Sequence, residues 1–98
     1  MILYFYIGLA YHQDGQYILA IDAYQKAAQY HTRNWHIPFH LGKSYYQSGN
    51  YAVSLKSFQK ADNLKPNYPP ILNNLGLTSN LLGNFADAES YYQIIKQS

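Results

Sequence analysis

The chain has 98 residues; its hydrophobic content of 48% argues against disorder, and its length allows one small core. A net charge of +2, from basic residues scattered along the sequence, argues against a nucleic-acid partner. The absence of cysteine excludes disulfides, thiolate nucleophiles and cysteine metal sites.

The first segment, MILYFYIGLAY, is apolar over about 11 residues. A membrane span needs roughly 20 residues. The segment also lacks the basic start and the small-residue cleavage site of a secretory signal. It is therefore predicted to be a first helix that faces a core, in a chain without membrane contact. If the chain is complete, the cytoplasm is the expected compartment.

The glycines of the chain lie on two series, and both series advance by 34 residues. A repeat of this length is typical of a helical solenoid, in which a single unit cannot bury its own apolar face. The whole chain is therefore predicted to be one domain, 1–98, built from the units 1–34, 35–68 and 69–98. The first series is Gly8, Gly42 and Gly76, and the second is Gly15, Gly49 and Gly83.

Each unit has the pattern of two amphipathic helices, which we call A and B. Numbering the positions of a unit as slots, apolar, aromatic or small residues fill slots 4, 7, 8 and 11 and slots 17, 20, 24 and 27. Steps of three or four residues mark one face of an α-helix. The sequence therefore predicts an all-α fold. Its six helices are expected at 2–14, 17–30, 36–48, 51–64, 69–82 and 85–97.

The two glycine series have different predicted roles. A glycine at slot 15 can adopt the left-handed conformation that ends helix A. A glycine at slot 8 lies inside helix A, where it costs about 1 kcal/mol relative to alanine. Close approach of helix B, with small residues at slot 20 and aromatic rings at slots 11, 17 and 24, is the expected reason. Proline gives further boundaries: Pro66 ends a B helix, and Pro69 and Pro70 begin an A helix.

The second unit carries the fullest pattern: Leu41-Gly42, Tyr45, Gly49, Tyr51, Phe58, Ala61 and Pro66. With this pattern the chain resembles the tetratricopeptide repeat family over its full length. The resemblance implies a right-handed superhelix of helical hairpins, whose A helices line a concave groove that takes peptides or helices. Departures from the family pattern are Tyr4, Pro38 and Leu72 at its tryptophan slot, and Thr32, Ser79 and Ile95.

The A-helix surface opposite the predicted core is unusually aromatic for a surface that faces water. Aromatic side chains supply buried area and amides satisfy main-chain groups, which suits peptide binding. The alternative is that several of these residues touch a neighbouring A helix and belong to the core. The slot 6 residues are the strongest candidates for the groove surface. The predicted groove residues are Phe5, Tyr6, Leu9, His12, His36, Phe39, His40, Lys43, Tyr46, Asn73, Asn74, Leu77 and Asn80.

Other site chemistries find little support in the sequence. His36 and His40 have the spacing of metal ligands on one helix, but a third ligand is lacking, so no metal is expected. No catalytic motif, phosphate loop or dinucleotide fingerprint is present, so neither an enzyme nor a cofactor is expected. Clamping of a chaperone's terminal carboxylate is rejected, because only Asn74 fits among the residues at the clamp positions: Phe5, Leu9, His40, Pro70 and Asn74.

Both end helices carry apolar residues where a solenoid normally has a polar cap. Further repeats beyond the chain, self-association, or cover by Tyr, Gln and Lys side chains would each account for this pattern. The predicted function is a non-enzymatic scaffold that binds a protein or peptide partner in the groove. The alternatives are a self-assembly module that stacks through its ends, and a substrate-presenting segment of a larger protein.

Overall fold

The computed structural model describes residues 2–97, which form six α-helices and no strand. The predicted helices are confirmed to within one residue at each end. The ends of the predicted domain, Met1 and Ser98, lie outside the described residues. No helix in this part of the chain has both the length and the apolar character needed to cross a membrane. The helices are α1 Leu3–Gln13, α2 Tyr17–Tyr30, α3 His36–Gln47, α4 Tyr51–Leu64, α5 Pro69–Leu81 and α6 Phe85–Gln97.

The slot 15 glycines end the A helices as predicted. Gly15 has a φ of 78°, in the left-handed region. Its N–H donates to the His12 carbonyl at 3.0 Å, and the Gln16 N–H donates to the Tyr11 carbonyl at 2.9 Å. These two bonds form a Schellman motif, which satisfies carbonyls that the helix end would leave unpaired. The same pair of bonds follows α3 at Gly49 and α5 at Gly83.

The slot 8 glycines make room for an aromatic ring of helix B, which confirms the predicted close approach. A Cβ atom on Gly42 would lie 2.6 Å from Cε1 of Phe58. Tyr24 lies against Gly8 in the same way, as Tyr92 does against Gly76. Ser54 at slot 20 adds a hydrogen bond, since its hydroxyl donates to the Gly42 carbonyl at 2.7 Å. The slot 24 ring is therefore the group that requires glycine at slot 8.

The predicted core face of helix A is incomplete, because slots 3 and 10 are buried as well. Ile37 and Ile71 at slot 3, and Ser44 and Thr78 at slot 10, have almost no exposed surface. Ile37 packs in one core cluster with Ala20, Tyr24 and Ala27 of the preceding B helix, and Ile71 packs in a second with Phe58 and Ala61. Slots 3 and 10 thus join successive units. In α1, Leu3 at slot 3 is 55% exposed.

Candidate functional site

The predicted groove residues belong to slots 2, 5, 6, 9 and 12 of α1, α3 and α5, and we call the side of these helices that carries these slots and slot 13 the A-helix face. Each A helix packs against its own B helix, and α1 also contacts α3 directly. Tyr6 is 59% exposed and Leu77 is 41% exposed, and His36, Asn73 and Asn80 are exposed too. The half-buried members of the set are Leu9, His12, Phe39, His40, Lys43, Tyr46 and Asn74.

Phe5 supports this face from below and offers little surface of its own. It is 9% exposed and belongs to the first core cluster, where it packs with Tyr24 at a ring-centroid distance of 5.8 Å. Leu9 packs against the same cluster. The cause is the contact between α1 and α3, which covers the side of α1 that carries Phe5. For Phe5, contact with the neighbouring A helix describes the packing better than a role as free groove surface, and Leu9 is half-buried against the core.

His40 sits among aromatic rings at the junction of α1 and α3. Its ring centroid lies 5.2 Å from that of Phe5, 5.4 Å from that of Phe39 and 6.0 Å from that of Tyr24. Burial lowers the pKa of His40 to about 4, with smaller contributions from Lys43, His36 and His12. The imidazole is therefore neutral at pH 7, with one nitrogen that donates and one that accepts a hydrogen bond.

A hydrogen bond between side chains ties α1 to α3 beneath the face. The His12 Nδ1 atom lies 2.8 Å from the Oγ atom of Ser44, whose residue is fully buried. Burial, and after it the positive charge of Lys43, lowers the pKa of His12. Burial thus favours the neutral form of both histidines, and His12 supplies the polar partner that a buried hydroxyl requires.

The electrostatics of the A-helix face are simple. The helices α1, α3 and α5 contain no aspartate or glutamate, and Lys43 is their one lysine or arginine. The Lys43 Nζ atom lies 5.2 Å from the centroid of the Phe39 ring, a cation–π geometry. The acidic residues of the chain lie on the B helices or in the turn between α1 and α2. The face therefore presents a single formal cation and no anion.

A recess of about 230 Å³ opens in this face between α3 and α5. Lys43 and Asn74 supply polar groups, and Leu77 supplies an apolar wall. Phe58, which the slot pattern places in the core, also lines the recess, although its ring is 1% exposed. The periodicity predicted that Phe58 is buried, but it could not show that this ring lines a recess in the A-helix face. The other lining residues are Tyr46 and Gln47.

No three His, Asp or Glu side chains within residues 2–97 are grouped so that they could hold a metal ion. His36 and His40 lie on the same helix, but His36 stacks on Trp35 with ring centroids 3.8 Å apart. His40 packs among the aromatic rings described above. The geometry therefore assigns both imidazoles to aromatic contacts.

We expect Tyr24→Phe to raise the free energy of unfolding by about 1 kcal/mol, because the Tyr24 hydroxyl is buried without a hydrogen-bond partner. Phe58 fills the same slot in the second unit without a hydroxyl. Burial raises the pKa of Tyr24 to about 12, so wild-type stability should also fall between pH 10 and 12, where unfolded tyrosine ionises first. Urea unfolding at pH 7 and pH 11 measures both effects. The partly exposed Tyr92→Phe is the control, and a destabilised Tyr24→Phe variant would contradict the prediction.

The fold and the A-helix face together define a helical-hairpin solenoid with one aromatic surface free of negative charge. Comparison with known families gives the same result in more detail. A family model described as a TPR repeat matches residues 42–83, and one described as a tetratricopeptide repeat matches residues 3–30. The chain belongs to the tetratricopeptide repeat family. No curated protein sequence matches it.

Solved structures of the same fold include two with a bound peptide. The second and first TPRs of Spaghetti (RPAP3), each bound to the HSP90 peptide SRMEEVD, superpose with a TM-score of 0.93. They are 20% and 22% identical, and the matches cover 98% of this chain and 89% and 76% of those chains. The crystal structure of MamA has a TM-score of 0.92 at 23% identity, covering 96% of this chain and 55% of that chain. At these identities the likeness establishes the fold.

Proposed function

We propose that the chain is a non-enzymatic interaction module that binds a peptide or helix of a partner protein on its A-helix face. The observation that carries the proposal is the exposure of Tyr6, Leu77 and the amides Asn73 and Asn80 on the A-helix face, together with an open recess that Leu77 lines. Exposed apolar and aromatic side chains rimmed by polar groups mark interaction surfaces. Asn73 and Asn80 can pair with the main chain of a bound segment.

The Spaghetti structures support peptide binding as the mode of action, since they have this fold and hold a peptide. The partner proposed here is of another kind. The positions that would clamp a terminal carboxylate carry Phe5, Leu9, His40, Pro70 and Asn74; only Asn74 fits the clamp, and none is a lysine or arginine. His40 is neutral at pH 7 because burial lowers its pKa to about 4. We therefore propose an internal segment of the partner as the ligand.

The charge of the face sets the composition of that segment. Lys43 lies at the recess, and α1, α3 and α5 contain no carboxylate. A basic segment finds no counter-charge there, an acidic residue finds Lys43, and a neutral segment needs no counter-charge. The preferred segment places an apolar side chain against Leu77 in the recess and an acidic residue near Lys43.

We expect a triple variant Tyr6→Ala, Asn73→Ala, Leu77→Ala to bind a peptide selected on the wild-type chain at least tenfold more weakly. The peptide comes from a random library displayed on phage, and the affinity is measured by calorimetric titration. The three side chains are exposed, so the fold should be kept, which far-UV circular dichroism verifies. The matched control changes an aliphatic, an amide and an aromatic residue exposed on α2: Ile18→Ala, Gln29→Ala and Tyr30→Ala.

If the control variant weakens peptide binding equally, the A-helix face is not the binding surface, and the proposal is wrong. Self-assembly is the second candidate, because Leu3 and Phe85 are 55% and 66% exposed at slots that are buried or half-buried elsewhere in the array. Light scattering across a hundredfold range of concentration, done on the same variants, separates the two. A mass that climbs with concentration, with peptide affinity unchanged by the triple variant, would favour assembly through the ends.

A further inference from the structure

A cleft of about 240 Å³ lies outside the A-helix face, between the end of α2 and the helix α4. We call it the α2–α4 cleft. Its apolar lining comes from Ile37, Pro38 and Leu41 of α3 and Val53 of α4, and its cations are Lys56 and Lys60 of α4. None of these residues belongs to the predicted groove set, so the site is independent of the function proposed above.

The first unit fills the corresponding place with its own side chains. Tyr4 at slot 4 stacks on Tyr30, with ring centroids 6.3 Å apart. The Nζ atom of Lys26 at slot 26 lies over the Tyr4 ring at 5.8 Å, and it pairs with the carboxylate of Asp22 at slot 22, 3.2 Å away. In this unit an aromatic ring and a carboxylate therefore accompany the slot 26 lysine.

The second unit keeps the lysine and lacks both of its partners. Slot 26 is Lys60, but slot 4 is Pro38, which has no aromatic ring, and slot 22 is Lys56, which has no negative charge. Pro38 lines the cleft, so no aromatic ring from slot 4 occupies it. Within residues 2–97 the sole lysine–carboxylate pair within 4.0 Å is Lys26–Asp22, so both cleft lysines are without a counter-ion.

We infer that the α2–α4 cleft binds a small aromatic carboxylate. Its ring would lie against Pro38 and under Lys60, as the Tyr4 ring lies under Lys26, and its carboxylate would pair with Lys56. Two lysines at i and i+4 lie on the same side of a helix, so both can reach one anion. A ligand of this class supplies the two groups that the second unit lacks relative to the first, and the cation–π and ionic contacts are each stronger in a partly enclosed site than in open water.

The test is a titration of the ¹⁵N-labelled chain with indole-3-propionate, followed by amide chemical shifts. We expect shifts at residues that line the cleft and a saturable binding curve. The neutral indole-3-propionamide should bind at least tenfold more weakly, since it keeps the ring and loses the charge. Saturating shifts located on the A-helix face, absence of saturable binding, or equal affinity for the acid and the amide would each overturn the inference.

Variants test the two halves of the site separately. The double variant Lys56→Gln, Lys60→Gln should bind the acid at least tenfold more weakly. The variant Lys65→Gln, Lys96→Gln makes the same change in net charge outside the cleft and should bind within twofold of wild type. An equal loss in both would show that binding depends on overall charge alone, contrary to the inference.

The third variant fills the cleft with the side chain that the first unit uses. Pro38→Tyr should abolish binding, because its ring would occupy the place of the ligand ring. Lys56→Asp places at slot 22 the acid that the first unit has there. It should also abolish binding, and this expectation does not require the cleft to accommodate a new ring. Retained affinity in both variants, with the helical circular dichroism of the wild type, would overturn the inference.

Discussion

Gly42→Leu is expected to lower the free energy of unfolding by about 1–3 kcal/mol, even though leucine is the better helix former by nearly 1 kcal/mol. A Cβ atom at this position would lie 2.6 Å from Cε1 and 2.7 Å from Cδ1 of Phe58. The Phe58 ring is packed in a cluster with Ala61 and Leu75, so displacing it disturbs that cluster. Either α3 and α4 separate or the cluster rearranges, and both lose packing. The urea unfolding midpoint measures the cost.

A double-mutant cycle shows whether the Phe58 ring is the cause. Phe58→Leu removes the ring that meets Gly42, so the cost of Gly42→Leu should fall by at least about 1 kcal/mol in that background. Gly49→Ala is the matched control: it replaces a glycine and strains the backbone at a φ of 87°, but no atom beyond the neighbouring residues lies within 4 Å of its added Cβ. Its cost should be the same with Phe58 or Leu at position 58. If the costs of Gly42→Leu and Phe58→Leu simply add, the packing account is wrong.

The helices and their ends could be predicted because the responsible interactions are local. Glycine at slot 15 is required by the backbone of the turn itself, and Pro69 begins α5 for an equally local reason. The burial of slots 3 and 10 is not local, since it depends on the preceding unit: Ile37 packs against its B helix, and Ser44 is hydrogen-bonded to His12 of its A helix. In the first unit these slots hold the exposed Leu3 and Ala10, and in the others Ser44 and Thr78 occupy slot 10. Small polar residues gave no apolar periodicity to follow.

The same reason limits what the sequence could predict about the site. The slot pattern predicted which residues belong to the A-helix face, and the sequence alone identified Lys43 as its one cation. The slot pattern could not predict that Phe5 is buried and Phe39 half-buried, although both occupy slot 5, because this difference arises from the contact between α1 and α3. It also could not find the recess or the α2–α4 cleft. Both are gaps between helices from successive parts of the chain, and their size depends on how those helices pack.

A fall in pH from 7 to 4 is expected to destabilise the chain, with His40 making the largest single contribution. Burial lowers the pKa of His40 from 6.5 to about 4, and the positive charges of Lys43, His36 and His12 act in the same direction. The unfolded chain therefore takes up a proton near pH 6.5, while the folded chain does so near pH 4. The contribution of His40 to stability is complete above pH 6.5 and is lost as the pH falls toward 4. After a discount for the partial exposure of the ring, the loss is about 1–2 kcal/mol.

His40→Gln should flatten this profile, because glutamine keeps a polar side chain without titrating. The free energy of unfolding in urea, measured at half-unit steps from pH 7 to pH 4, gives the slope for each variant. His36→Gln removes an exposed imidazole from the same helix and should leave most of the slope in place. Some slope should also remain in His40→Gln, since burial and Lys43 lower the pKa of His12 as well. If His40→Gln keeps the wild-type slope, His40 is already solvated in the folded chain, and the aromatic enclosure described for it is wrong.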